Sequence, residues 1–209
     1  MDRTKQQKIG IMGGTFDPIH YGHLLIAQSA ADEFDLDKVL FVPTGKSPHK
    51  QTELVTEPEV RCEMVKLAIA SNERFLFSDI EVNNKEINYT YLTLQKFSKQ
   101  YPKAKLYFIM GGDSLKDFKS WREPEKICRQ AVILAAVRDE MIGQEMREAI
   151  QEIRDLFHAE IFMLHSPNFS VSSHNIRKRL EKRSSVRYLI PDEVLQYIYR
   201  ENIYTGESL

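Results

Sequence analysis

Apolar runs of strand length alternate with stretches of helical periodicity along almost the whole chain, and that alternation limits the folds open to it. Strand-like runs cover Lys8–Met12, Lys38–Val42, Phe75–Val82, Ala104–Met110, Ala131–Val137 and Glu160–Leu164. Between them, apolar residues recur at helical spacing over Tyr21–Glu33, Glu57–Ala70, Thr90–Lys99, Glu123–Arg129 and Gly143–Leu156. Two further helical stretches, Ser172–Glu181 and Pro191–Arg200, close the sequence. Runs such as Ala104–Met110 are apolar on both alternating phases, as a strand must be when helices cover both faces of its sheet. The pattern predicts an α/β chain built on a doubly wound parallel sheet. Neither an internal repeat nor a low-complexity linker interrupts it. A single domain over residues 1–209 is expected, with a core at about 8–180 and a small C-terminal helical part at about 181–209.

Composition removes several function classes. Lys and Arg number 29 against 30 Asp and Glu, so no general charge drives the chain toward nucleic acid or an anionic membrane. Any phosphate site must therefore be local. Cys62 and Cys128 are the two cysteines, widely spaced and each inside a predicted helix. They form neither a disulfide framework nor a zinc pattern and read as buried thiols. With no apolar leader at the N-terminus and no run of about 18 apolar residues, a reducing cytoplasm is the expected compartment.

Ligands of doubly wound sheets bind at the carboxyl ends of the strands, near the point where strand order reverses. Three glycine- or proline-bearing loops follow strands here: Gly13–Asp17, Pro43–Lys50 and Gly111–Ser114. Parallel strands would bring all three to one edge of the sheet. The first loop opens Gly13-Gly14-Thr15-Phe16-Asp17-Pro18-Ile19-His20-Tyr21-Gly22-His23. Its glycines let backbone N–H groups approach a polyphosphate, and the helix start that follows adds partial positive charge. His20 and His23, three residues apart, share one face of that first turn and can donate to phosphate oxygens together. No third ligand stands at a metal-site spacing. The dinucleotide fingerprint GxGxxG and the Walker loop GxxxxGK[ST] are both absent. What remains is a phosphate site suited to a transfer reaction.

The other loops add weaker signals. Lys46, His49 and Lys50 beside Pro43 and Pro48 read either as a solvated basic loop or as a second anion site. Asp113, after the central-looking run Ala104–Met110, reads as a ribose ligand or as the cap of a short helix. Ser172 and Ser173 precede a helical run and leave N–H groups for an anion, and Arg177 lies one turn in. The basic run beyond it, to Arg187, reads as a solvated helix face.

Taken in order, these segments resemble those of bacterial nicotinate mononucleotide adenylyltransferases, a branch of the nucleotidylyltransferase superfamily. Gly13 to His23 is similar to the family's GGTFDPxHxGH at every defined position, and Pro48-His49-Lys50 to its PHK. Gly112-Asp113-Ser114 resembles its GxDS, Asn88-Tyr89-Thr90 its SYT, and Val171 to Arg177 its ISSTxIR, while Trp121 stands where the family carries an aromatic residue. The chain departs from the pattern at Asn88 for serine and at His174 for threonine, and the upstream arginine is either replaced by Lys85 or missing.

The resemblance implies a Rossmann-like nucleotidylyltransferase fold and the transfer of AMP from ATP to nicotinate mononucleotide, giving deamido-NAD and pyrophosphate. It implies catalytic parts for His20, His23 and Arg177. ATP would be bound by Gly13, Gly14, Thr15, Phe16, Asp113, Ser172 and Ser173. Asp17, Lys50, Tyr89, Thr90 and Trp121 would bind the mononucleotide. Mg2+ is expected on the triphosphate rather than in a protein cage. Nicotinamide mononucleotide or another phosphorylated acceptor is the rival substrate, and a catalytically silent nucleotide-binding protein is the rival class. The resemblance implies small-molecule partners, neither nucleic acid nor membrane, and leaves room for a homo-oligomer.

Overall fold

The computed structural model describes residues 6–45, 55–84, 86–137, 143–167 and 169–204. Lys50 and Lys85 lie outside the described residues, as does the rest of the basic loop from Lys46 onward.

Six strands form one sheet: β1 Lys8–Gly14, β2 Lys38–Pro43, β3 Phe75–Phe77, β4 Lys105–Gly111, β5 Val132–Val137 and β6 Ile161–His165. Their spatial order is β3-β2-β1-β4-β5-β6, and every neighbouring pair is parallel. Strand order thus reverses between β1 and β4, which opens a crevice at their carboxyl ends. The connecting helices are α1 Tyr21–Glu33, α2 Pro58–Ile69, α3 Thr90–Gln100, α4 Gly112–Lys116, α5 Pro124–Gln130 and α6 Gly143–Phe157. After β6 come α7 Ser173–Glu181 and α8 Asp192–Arg200.

The two-residue period of the strands sorts the core into two layers. Val39 and Phe41 of β2, Tyr107 and Ile109 of β4, and Val132 and Leu134 of β5 face one layer. Against them pack Ile26, Ala27 and Ala30 of α1, Met64 and Val65 of α2, Ile176 of α7, and Val194 and Ile198 of α8. Ile9, Ile11, Leu40, Val42, Phe108 and Ile133 face the other layer, with Leu94 and Phe97 of α3, Ile127 of α5, and Met146 and Ile150 of α6. The C-terminal helix α8 therefore shares a core with the sheet. Cys62 on α2 and Cys128 on α5 are buried free thiols, and burial pushes the Cys128 thiol up to about 11.

Two local expectations are corrected. The strand expected over Phe75–Val82 ends at Phe77. In its ladder Val39 N donates to Arg74 O and Ser78 N donates to Phe41 O at 2.9 Å. The next donor on that side of β2 would be residue 43, a proline, which has no N–H. The ladder stops there, and residues 80–83 turn away instead. The second correction concerns Asp113. Helix α4 starts at Gly112 with Gly111 as its N-cap, so Asp113 stands inside the first turn rather than at the cap.

Candidate active site

The first motif is built as a bent bridge from β1 to α1. Gly13 and Gly14 end β1 in register with Val42 and Pro43. Phe16 then adopts φ 52°, in the left-handed region, and a cis bond joins Asp17 to Pro18. The Phe16 ring is buried under the bridge, edge-on to the His23 ring at 5.0 Å and tilted against Phe41 at 5.9 Å. A Cβ on Gly14 would come within 3.0 Å of that ring, so a side chain there would displace it. A Cβ on Gly13 would meet nothing within 4 Å. Space is held open at Gly13, on the face where the crevice lies.

His20 and His23 occupy defined places at the start of α1. His20 is the N-cap and His23 the third helical residue. The backbone N–H of His20 donates to Nδ1 of His23 at 3.3 Å. This is the reach-back half of a capping box, with histidine in the usual place of Glu or Gln. By accepting through Nδ1, a neutral His23 carries its proton on Nε2. The two rings stack, with centroids 3.7 Å apart and planes 19° from parallel. Gly22 permits this: a Cβ there would lie 3.0 Å from Cε1 and Nδ1 of His20 and 3.0 Å from Val171.

Helix α7 delivers the third motif to the same place. Ser172 is its N-cap and accepts from the Asn175 N–H at 3.2 Å. Ser173 Oγ donates to the Pro18 carbonyl at 2.9 Å, and Arg177 Nη1 donates to the Asp17 carbonyl at 2.6 Å. The start of α7 is thereby fastened to the bridge ahead of α1, and two helix N-termini converge beside one guanidinium. His174 is exposed.

A cavity of about 320 Å3 extends from the Gly13-Gly14-Thr15 turn over β1 and β4 toward α3. Tyr89, Thr90, Trp121 and Arg122 are among its walls. Thr90 is the first residue of α3, so its N–H belongs to the unpaired donors of a helix start. Trp121 is held edge-on to Phe108 at 6.1 Å and tilted on Phe118 at 5.5 Å. Asn88, the departure from serine, has a structural explanation. Its Nδ2 donates to the Glu81 carbonyl at 3.0 Å and its Oδ1 accepts from Asn84 at 2.9 Å, which ties down the turn before α3. Gly45 packs against this turn so closely that a Cβ would fall 2.5 Å from the Glu81 carbonyl oxygen.

Asp17, expected at the mononucleotide, is 3% exposed. Its Oδ1 accepts from the Tyr204 hydroxyl at 2.5 Å and its Oδ2 from the Thr56 N–H at 3.3 Å, with Arg177 at 3.7 Å. Burial and the neighbouring Asp17 hold the Tyr204 hydroxyl well above its ordinary range. Phe16, expected at ATP, supports the bridge from below.

Three residues that sequence reasoning did not single out complete the surroundings. Arg61 of α2 is 2% exposed, and its guanidinium donates to the carbonyls of Thr15, Thr44 and Thr56. Burial lowers its basicity, with Asp17 opposing that shift. Glu81, 8% exposed, lines the cavity and accepts from the Thr93 hydroxyl at 2.7 Å. Burial raises its carboxyl, while Thr93 and Lys96 pull the other way. Tyr204 is the third. Arg61 carried a readable signal, because it stands in phase with Met64, Val65 and Ala68 on the buried stripe of α2.

Comparison with known proteins identifies the family. The cytidylyltransferase-like family matches residues 11–179. Curated relatives named "Probable nicotinate-nucleotide adenylyltransferase" include one from Lachnoclostridium phytofermentans, 38% identical over 95% of this chain and 99% of its own. Another, from Corynebacterium glutamicum, is 40% identical over 98% of this chain and 91% of its own. Among solved structures, the fold is shared with Plasmodium falciparum nicotinic acid mononucleotide adenylyltransferase complexed with NaAD. The TM-score is 0.78 at 23% identity, covering 96% of this chain and 98% of that one. The chain belongs to the cytidylyltransferase-like family, in its nicotinate-nucleotide adenylyltransferase branch.

Proposed function

We propose that this enzyme transfers the adenylyl group of ATP to the phosphate of nicotinate mononucleotide, releasing pyrophosphate and forming deamido-NAD, a step in NAD biosynthesis. The observation that carries the reading is the meeting of two half-sites at the Gly13–Thr15 turn. One is lined with N–H donors and a guanidinium, and the other is an aromatic-walled cavity.

The donors suit phosphate oxygens and not a hard cation, so Mg2+ enters as part of the substrate Mg·ATP. Gly13, Gly14 and Thr15 receive the triphosphate. His23, with its proton on Nε2, and His20 donate to oxygens around the α-phosphorus. Arg177 and the helix start at Ser172 and Ser173 hold the departing β- and γ-phosphates. Asp113 takes the adenosine ribose. In the cavity Trp121 and Tyr89 flank the pyridine ring, and the Thr90 N–H meets its carboxylate. Lys50 would meet the mononucleotide phosphate. Asp17 acts on the substrate indirectly, by holding Arg177.

An oxygen of the mononucleotide phosphate attacks the α-phosphorus in line. One P–O bond forms as the bond to pyrophosphate breaks, and no enzyme-bound intermediate intervenes. The attacking dianion needs little help from a base, so catalysis is positioning and charge stabilisation. We place the reaction in a reducing compartment, the cytoplasm, which suits two free buried thiols.

The test is pyrophosphate release by the purified protein from ATP with nicotinate mononucleotide, run beside nicotinamide mononucleotide. Release with the acid, faster than with the amide, is expected. Preference for the amide would change the acceptor, and no release with either would overturn the reading.

A further inference from the structure

Adenylyl transfer needs two substrates held on two separate segments, and something must fix one segment against the other. Arg61 joins them directly. Its Nη1 donates to the Thr15 carbonyl at 2.7 Å, within the turn that follows β1. Its Nη2 donates to the Thr44 carbonyl at 2.8 Å, just past the end of β2. Its Nε donates to the Thr56 carbonyl at 2.9 Å, just before α2. Thr44 and Thr56 are thus the two ends of the β2–α2 connection. One planar, buried group grips both of them together with the phosphate-cradling turn.

The surroundings hold Arg61 to that task. Its charge is met by Asp17, whose Oδ2 accepts from the Thr56 N–H and whose carbonyl accepts from Arg177. Three carbonyls around a fork suit a guanidinium, because its five donors have a fixed planar geometry. Lysine would keep the charge but present it at a single point.

We propose that Arg61 is a positioning residue for adenylyl transfer. Its guanidinium sets the spacing between the turn that holds ATP and Thr44, which lines the cavity assigned to the acceptor. It thereby aligns the attacking phosphate with the α-phosphorus. This rests on the assignment of the two substrates to those segments. A misplacement of about 1 Å between reacting partners lowers a rate on the order of 10²-fold.

Arg61→Lys and Arg61→Ala are compared with the unaltered enzyme in two measurements. Calorimetry with a non-hydrolysable ATP analogue gives affinity and the fraction of molecules competent to bind. Pyrophosphate release, divided by that fraction, gives kcat. For Arg61→Lys, analogue affinity is expected within about threefold, with kcat lower by about 10²-fold. For Arg61→Ala, millimolar guanidinium should restore part of kcat while urea at the same concentration does not. A kcat for Arg61→Lys within about threefold of the unaltered enzyme would overturn the proposal. So would a loss that only tracks the loss of analogue binding, or a failure of guanidinium to restore any rate. If neither variant binds the analogue, Arg61 is a requirement for folding and the positioning role is overturned. Absence of turnover in the unaltered enzyme would remove the substrate assignment instead, independently of the variants.

Discussion

The hydroxyl of Tyr204 donates to Oδ1 of Asp17 at 2.5 Å, joining positions 187 residues apart. Asp17 lies inside the first sequence motif and Tyr204 beyond α8, so the segment after α8 closes on the bridge between β1 and α1. Tyr204→Phe would leave the ring and remove one of the few partners of a carboxylate that is 3% exposed. An unsatisfied buried acceptor costs about 1–3 kcal/mol, more when it is charged. Urea unfolding of the ligand-free variant should show a loss of that size with an unchanged slope. A midpoint equal to the parent's would mean that Asp17 finds another donor and that the C-terminal contact is dispensable.

Gly13 and Gly22 belong to one motif but serve opposite purposes, and alanine separates them. At Gly13 a methyl group meets no protein atom within 4 Å, whereas at Gly22 it lies 3.0 Å from the His20 ring. Gly13→Ala should leave the melting temperature within a few degrees and raise the KM for ATP by at least about tenfold, because the methyl would enter the proposed triphosphate site. Gly22→Ala should lower the melting temperature as well, because it displaces His20 and Val171. Normal ATP kinetics in Gly13→Ala would show that the space above that residue is not used by the nucleotide.

Much of this arrangement is legible in the sequence, and the reason is physical. Strands covered on both faces must be apolar throughout, and helices that cover them must carry a stripe, so the order of elements is written locally. The motif around His20 and His23 is equally local, since its members share one turn. The parts that are not legible depend on groups with no sequence signature. Arg61 is visible as a charge within an apolar stripe, but its partners are main-chain carbonyls in two loops. Tyr204 and Asp17 meet only through the fold. The early end of β3 comes from Pro43 on the neighbouring strand, not from anything in Phe75–Val82.

His23 gives the most direct test of the chemistry. Its Nδ1 accepts from the His20 N–H, which fixes the other ring nitrogen as the donor. His23→Ala removes that donor from an otherwise folded site. Loss of one preorganised donor to developing charge typically lowers kcat by about 10²–10³-fold. Steady-state pyrophosphate release should show such a fall while melting temperature changes by only a few degrees. A kcat within a few-fold of the parent's would take His23 out of the reacting centre.

Glu81 predicts a pH dependence of stability with a definite sign. Burial raises its carboxyl above the ordinary 4.5, with the Thr93 hydroxyl and Lys96 opposing. The folded state therefore holds this proton more tightly than the unfolded chain does. The stabilisation linked to it is complete below the unfolded value, about 4.5, and is lost as pH rises through the raised folded value. Gln at this position keeps an oxygen to accept from Thr93 at the site where Glu81 now does so at 2.7 Å, but it carries no charge. Melting temperatures of ligand-free Glu81→Gln and its parent, measured from pH 4 to pH 8, should diverge in the variant's favour as pH increases. A difference that stays constant would mean the fold does not shift this carboxyl at all, and one that narrows toward pH 8 would mean the carboxylate is better stabilised in the fold than in water.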